Sequence, residues 1–375
     1  MLKRIRYKII SGAAAAVAAG SAVLFAYFYA ALPLNIYAGA GEELCGAGFA
    51  PASLKTTDNG AEYFFCGIPI KRAVVTEKER RYVIPSGEPF GVKVMSDGVI
   101  VTETAEGSPA RKCGLKTGDV ITSVNGTEVS TNEELAEAIK RSGEKADIVY
   151  RRGGSVVSAS VGTVISDGER KIGAWVRDSA AGIGTLTFID PETGEFGGLG
   201  HAVSDVTTGE PVPLGSGQIT EAEVYDVVKG EKGTAGELCG RIISENETGE
   251  VLENTSTGIF GKYKGDFNGE TVPVAFTQEV KTGAATILTA LDDSEPREYS
   301  IEIERINLAD LHGAKGMLIR ITDPELLEKT GGIVRGMSGS PIIQNGRLAG
   351  AVTHVLLSDP SRGYAVFAES MPLVY

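Results

Sequence analysis

Histidine is scarce in this 375-residue chain: His201, His312 and His354 are the only three, so any imidazole chemistry must use one of them. Cysteine is nearly as rare, and Cys45, Cys66, Cys113 and Cys239 form no CxxC pair. A structural zinc site is therefore not expected, and no motif favours another metal or an organic cofactor. Basic charge is in deficit, with 36 Lys and Arg against 49 Asp and Glu and a net charge of -13. Without a basic stripe to neutralise phosphates, a nucleic-acid partner is not expected. Aromatic residues are sparse at 7%, whereas glycine is abundant at 49 residues, which suits a turn-rich β protein. With 42% hydrophobic and 23% charged residues the chain reads as globular. Its length suits two or three domains.

One long uncharged run exists. Lys3, Arg4, Arg6 and Lys8 precede residues 9–34, and those 26 residues carry no charge. As a helix they would span roughly 39 Å, more than the roughly 30 Å hydrocarbon core. A cleavable signal peptide has a shorter apolar run of about 7–15 residues, although Ala38-Gly39-Ala40 resembles a cleavage site. The bland alternative is a buried helix of a soluble domain. Basic residues before the run and Glu42 and Glu43 after it place the N-terminus in the cytoplasm and the rest outside. Residues 1–40 thus read as a cytoplasmic tip and transmembrane anchor of a single-pass protein with an extracytoplasmic body. Residues 41–86 read as a loop-rich linker and β segment containing Pro51, Asn59-Gly60 and Pro85. There Cys45 and Cys66 flank the strand-like Tyr63-Phe64-Phe65, a spacing open to a disulfide or to free thiols.

From residue 87 to 165 short strands are expected at 90–94, 99–101, 120–124, 148–150 and 156–161. Turns are expected at Ser96-Asp97-Gly98 and Asn125-Gly126. Thr131 and Glu134 form a capping box, and Leu135, Ala138 and Ile139 follow at helical spacing. Ser108-Pro109-Ala110, Gly114-Leu115 through Ile121, and Val124-Asn125-Gly126 together resemble the signature of bacterial PDZ domains. That resemblance implies a carboxylate-receiving loop at Phe90, Gly91 and Val92. A bound peptide would lie as an added strand against the helix carrying Leu135 and Ile139. The plain alternative is that Leu135 and Ile139 are core residues.

Residues 166–375 read as short strands separated by turns, among them 185–188, 272–276, 285–291, 301–306 and 317–321, with one helical turn near Glu325. Such spacing points to a barrel or sandwich. Gly336-Met337-Ser338-Gly339-Ser340-Pro341 is similar to the G-D-S-G-G-P motif of chymotrypsin-like proteases. Ser338 then stands as the nucleophile, with the Gly336 and Ser338 amides as the oxyanion hole. His201 lies 137 residues earlier in a glycine-rich turn, the order that fold requires of its base. His354 reads as a packed side chain in an apolar strand, and His312 as an exposed turn residue. Met337 replaces the aspartate that pairs with a new N-terminus in trypsin-like zymogens, which removes that activation route and leaves the PDZ domain as the candidate for control.

The stretches Arg177 to Thr185, Leu199-Gly200-His201, Gly331 to Pro341, Thr353-His354-Val355 and Asp359-Pro360 resemble the stage IV sporulation protein B (SpoIVB-type) serine peptidases of endospore-forming bacteria. The resemblance implies a mainly β molecule: a transmembrane helix, a small α+β PDZ domain, then a chymotrypsin-like double β-barrel peptidase domain. Carried over by position, the catalytic set is His201, Asp323 and Ser338. Asp323 is also well placed as a turn or helix cap before Pro324, and Asp205, Asp226 and Asp266 are its rivals. The resemblance further implies self-cleavage near the N-terminus, then cleavage of a membrane regulatory complex that controls sigma-factor processing in sporulation. The PDZ partner would be a peptide segment or the chain's own N-terminal region, and the location the space between the two membranes around the forespore. High-temperature-requirement proteases place the PDZ domain after the protease, unlike this chain. The competing readings are a non-catalytic PDZ adaptor with a protease-shaped domain, and a general quality-control protease.

Overall fold

The computed structural model describes residues 2–44, 49, 51–57, 60–292 and 295–372, with backbone alone for residues 2–14 and 245. A 30-residue helix, Leu2–Ala31, opens the chain, and Lys71 Nζ closes its last turn by donating to the carbonyls of Tyr29 and Leu32 at 3.0 and 2.6 Å. Among the described residues no helix is long and apolar enough to cross a membrane, so the expected anchor is left without support from the fold.

Residues 41–86, expected as a loop-rich linker and β segment, hold most of a four-stranded sheet in which the strand-like Tyr63-Phe64-Phe65 is indeed strand. Asn35–Gly39, Ile68–Lys78, Gly60–Phe65 and Ala52–Thr57 pair in that order into four strands. The alternation of Ala52 and Leu54, and of Ala61 and Tyr63, gives the sheet one buried face. Phe28, Leu32 and Ile36 join that face in a core continuous with the last domain. Cys45 lies outside the described residues, and Cys66 is a free, exposed thiol.

Two closed six-stranded barrels form the body, as the double-barrel expectation requires. The second runs Gly283–Thr289, Arg297–Ile306, Met317–Ile321, Arg362–Phe367, Arg347–Val355 and Pro341–Gln344, closing back on the first strand. The first barrel joins Pro89–Thr104, Leu214–Val228, Glu237–Thr255, Gly258–Tyr263, Glu195–Gly198 and Ala174–Ile189, which returns to Pro89–Thr104.

The PDZ-like unit is an excursion from this first barrel. Its strands Val120–Val124, Lys145–Arg152 and Ser155–Gly162 extend a sheet begun by residues 99–101. The helix Asn132–Arg141 covers that sheet, opened by the Thr131–Glu134 capping box read from the sequence. Leu135 and Ile139 point into its core with Val99, Ile121 and Ile148, the plain reading of those two positions. Pro89–Thr104 and Ala174–Ile189 each run unbroken from barrel to PDZ-like unit. The turn expected at Ser96-Asp97-Gly98 is therefore strand, with Gly98 at φ 118 where the chain twists between the two cores. A boundary at residue 165 divides the chain but not the structure, because residues 89–96 already belong to the peptidase barrel.

Candidate active site

Barrel one ends its Glu195–Gly198 strand in a tight turn, with Leu199 at φ 65 and Gly200 at φ 67, that delivers His201 to the groove between the barrels. Left-handed backbone at a buried leucine is costly, and such strain concentrates where side chains must be aimed. Barrel two supplies Ser338 from the turn before Pro341–Gln344. His201, Ser338 and His354 line one cleft of about 600 Å³. The His201 and His354 rings lie 5.1 Å apart.

The serine turn is held from both sides. Thr185 Oγ1 donates to the Gly336 carbonyl at 2.7 Å, Thr185 N to the Ser338 carbonyl at 2.9 Å, and Thr187 Oγ1 to the Gly339 carbonyl at 2.7 Å. From the second barrel, Val352 accepts the Gly339 N–H at 2.8 Å. Gly339 sits at φ 98, and a Cβ there would fall 1.9 Å from the Thr185 carbonyl oxygen. Among the described residues the N–H groups of Gly336 and Ser338 have no acceptor. That leaves both amides free for the oxyanion that acyl transfer generates.

His201 Nδ1 is 2.8 Å from the carbonyl oxygen of its neighbour Ala202. A carbonyl only accepts, so Nδ1 carries the proton and Nε2 keeps the lone pair a general base needs. Burial lowers the His201 pKa below its ordinary value, with the Ala202 bond acting the other way. His354 is pushed down to about 4 by desolvation first, then by the neighbouring His201 and Lys315, so it is neutral at physiological pH. The Ser338 hydroxyl donates to the Thr353 carbonyl at 2.9 Å in this arrangement. Attack requires its rotation towards an imidazole.

Several expectations change here. Asp323 is not brought to His201: its Oδ1 caps the helix Pro324–Thr330, accepting from the Glu325 and Leu326 amides at 3.0 and 3.1 Å. The Asp-Pro signal was thus a cap signal. Of its rivals, Asp205 is buried four positions from His201, but its carboxylate is taken by Arg177 Nη1 at 2.5 Å and by the Thr207 and Thr208 amides. Asp226 Oδ1 accepts the amide of its neighbour Val227 at 2.8 Å, and neither it nor Asp266 lines the cleft. His354, read as packed in an apolar strand, instead lines the cleft beside His201, just past the buried run 348–353 and at a register shift in the pairing. No sequence signal located it beyond its place in the Thr353-His354-Val355 stretch.

Phe90, Gly91 and Val92 do not form a carboxylate-receiving loop. They pair with Gly184, Ile183 and Gly182 on one side and Glu221, Thr220 and Ile219 on the other, in the first barrel. Phe90 and Val92 are buried there. The groove beside the Asn132–Arg141 helix is instead bounded by Ile172, Gly173 and Ala174 to Val176, with Trp175 56% exposed. Asp178 fastens the two sides together by accepting the Asn132 N–H at 2.8 Å.

A model of the SpoIVB peptidase S55 family matches residues 168–372, more than half of the chain. The chain belongs to that family. A PDZ model matches residues 87–163 of this S55 peptidase. The family is one of peptidases, and here its domain follows a PDZ domain. Shorter likenesses include the serine protease HTRA1 of Xenopus tropicalis, 35% identical over 66 residues, covering 18% of this chain and 14% of that protein. A probable periplasmic DegP-like serine endoprotease of Hahella chejuensis is 40% identical over 74 residues, 19% of this chain and 16% of its own length. The zinc metalloprotease RasP of Shouchella clausii is 41% identical over 71 residues, 19% and 16% respectively. Each of these matches spans well under two thirds of the relative. The PDZ domain of an SdrC-like protein from Listeria monocytogenes is 26% identical over 22% of this chain and 90% of that one, with a TM-score of 0.21.

Proposed function

We propose that this S55 peptidase is tethered to a membrane by its N-terminal helix, with its body outside the cytoplasm. There it cleaves itself near the N-terminus, then cuts the extracytoplasmic part of a membrane signalling complex that gates sigma-factor processing during sporulation. Family membership together with the cleft that joins His201 and Ser338 carries the reading. The tether draws support from Val17, Val23, Leu24, Phe25, Tyr27 and Tyr29, large apolar side chains exposed along one helix. Control would come through the PDZ unit, whose groove borders residues 174–176 of the strand that goes on to line the cleft at residues 179–183. A peptide added along that edge would press on the catalytic strand itself. The Ser338 hydroxyl bonded to Thr353 fits an enzyme at rest.

The test is mechanism-based labelling of the full-length protein with a fluorophosphonate, beside Ser338→Ala and His201→Ala. Labelling lost in both variants is expected; none in folded wild type, even with peptides added, would favour the non-catalytic adaptor. Self-cleavage is refuted if the Ser338→Ala protein is shortened at the same sites and rate as wild type.

A further inference from the structure

The chain carries 49 acidic residues and a net charge of -13, yet its catalytic cleft has the opposite character. Among the described residues the charged side chains lining it are Arg177 and Arg335, with no aspartate or glutamate. Arg177 is already engaged by the buried Asp205 carboxylate at 2.5 Å. Arg335 is not engaged: it is exposed, and among the described residues no carboxylate pairs with it. Its backbone is fixed, because its N–H donates to Gly236 at 2.9 Å and its carbonyl accepts from Leu238 at 2.8 Å. The next residue is Gly336, whose free amide belongs to the oxyanion hole, and Ser338 follows two positions later. A guanidinium therefore stands at the rim of the reaction centre, in a cleft from which acids have been kept out.

We propose that Arg335 selects peptide substrates bearing an aspartate or glutamate close to the scissile bond. The proposal rests on the hydrolase reading above and adds the substrate class. A guanidinium presents a planar fork that a carboxylate can accept bidentately, and a cleft of one charge sign raises the local concentration of the opposite one. Arg177, neutralised by Asp205, adds little to that field. The chain's surplus of acid elsewhere repels such substrates, so the attraction is local to the cleft.

The experiment uses the full-length protein in detergent micelles with a peptide library whose cut sites are read by mass spectrometry. Peptide pairs with Glu or Gln at the selected position then give a ratio of kcat/KM that does not depend on the active fraction. For wild type the acidic peptide is expected to be favoured by about fivefold, the scale of an exposed ion pair, with the advantage fading at about 1 M salt. The ratio should fall to about one in Arg335→Gln and below one in Arg335→Glu. No acidic enrichment in wild type, or the same ratio in wild type and Arg335→Gln, overturns the proposal. Fluorophosphonate labelling of the same wild-type sample separates the two failures. A labelled enzyme without acid preference defeats the selectivity alone, and an unlabelled one defeats the hydrolase reading and the selectivity with it.

Discussion

Thr185 and Thr187 allow a paired test of how the nucleophile turn is held. Both are buried on the Ala174–Ile189 strand, and each hydroxyl donates a 2.7 Å bond to a carbonyl of the turn, Gly336 and Gly339 respectively. Valine at either position keeps the β-branch and the strand preference while removing the donor. Each substitution should therefore cost about 1–2 kcal/mol of stability, one lost hydrogen bond with its acceptor left buried. Catalysis should tell them apart. Thr185 also donates its N–H to the Ser338 carbonyl at 2.9 Å, so it holds both residues whose amides are the proposed oxyanion donors. Deleting an oxyanion donor outright costs about 10²–10³ in rate; a donor merely loosened by Thr185→Val should cost about tenfold. Thr187→Val, which loses a bond to Gly339, one residue beyond Ser338, should cost no more than about threefold. The assay is the second-order rate of fluorophosphonate labelling, with the urea midpoint measured on the same samples. Equal rate losses in the two variants, or an unchanged rate in Thr185→Val, would refute the assignment of oxyanion geometry to Thr185.

Acid should silence the enzyme later than an ordinary histidine base would allow. As the proposed general base His201 would act when neutral, and burial holds its pKa below 6.5, so labelling should persist as pH falls past 6.5 and fail only through the lower value. A labelling midpoint at or above 6.5 would contradict that environment. Asp323 should behave as a helix cap. Asp323→Ala is expected to lower stability by about 1 kcal/mol and Asp323→Ser to restore most of it, read from urea midpoints. An equal loss in both variants would sink the cap assignment.

The strands that were legible in the sequence are those whose pattern is local. Met317–Ile321 alternates buried and half-buried side chains, and Val120–Val124 sits between turn signals. The PDZ-like helix was legible from Thr131 and Glu134 because a capping box is four residues long and needs no partner. Ser338 and His201 were singled out by their glycine-flanked turns, and the two barrels bring both to one cleft. What escaped depends on distant chain. The strand expected at 90–94 is there, but residues 90–92 were given to the PDZ unit as its carboxylate-receiving loop because their neighbours in sequence are PDZ-like. Their partners, 182–184 and 219–221, lie about a hundred residues away. His354 escaped because nothing in an apolar run marks the residue at which the strand reaches the cleft. Arg335 carries no motif, and its significance appears only when the lining of the cleft is known.

The shared strand makes a demand on any truncation. The family match begins at residue 168 and leaves out residues 89–96. Those residues close the first barrel, pairing with Ala174–Ile189 on one side and Leu214–Val228 on the other. Without them both neighbours become open edges, and the cavity left by Phe90, Val92 and Val94, each at most 4% exposed, opens to water. At about 1.5–3 kcal/mol for each buried side chain, the loss is roughly 5–9 kcal/mol. A domain's whole stability is only about 5–15 kcal/mol. A protein of residues 168–372 should therefore fail to fold and fail to label, whereas one of residues 87–372, which keeps the strand, should fold better. A synthetic peptide of residues 87–98 should partly rescue the shorter protein by supplying the missing strand. Native-like circular dichroism and full labelling of residues 168–372 alone would show that the first barrel does not need its borrowed strand. The boundary between binding module and enzyme would then lie where the sequence put it.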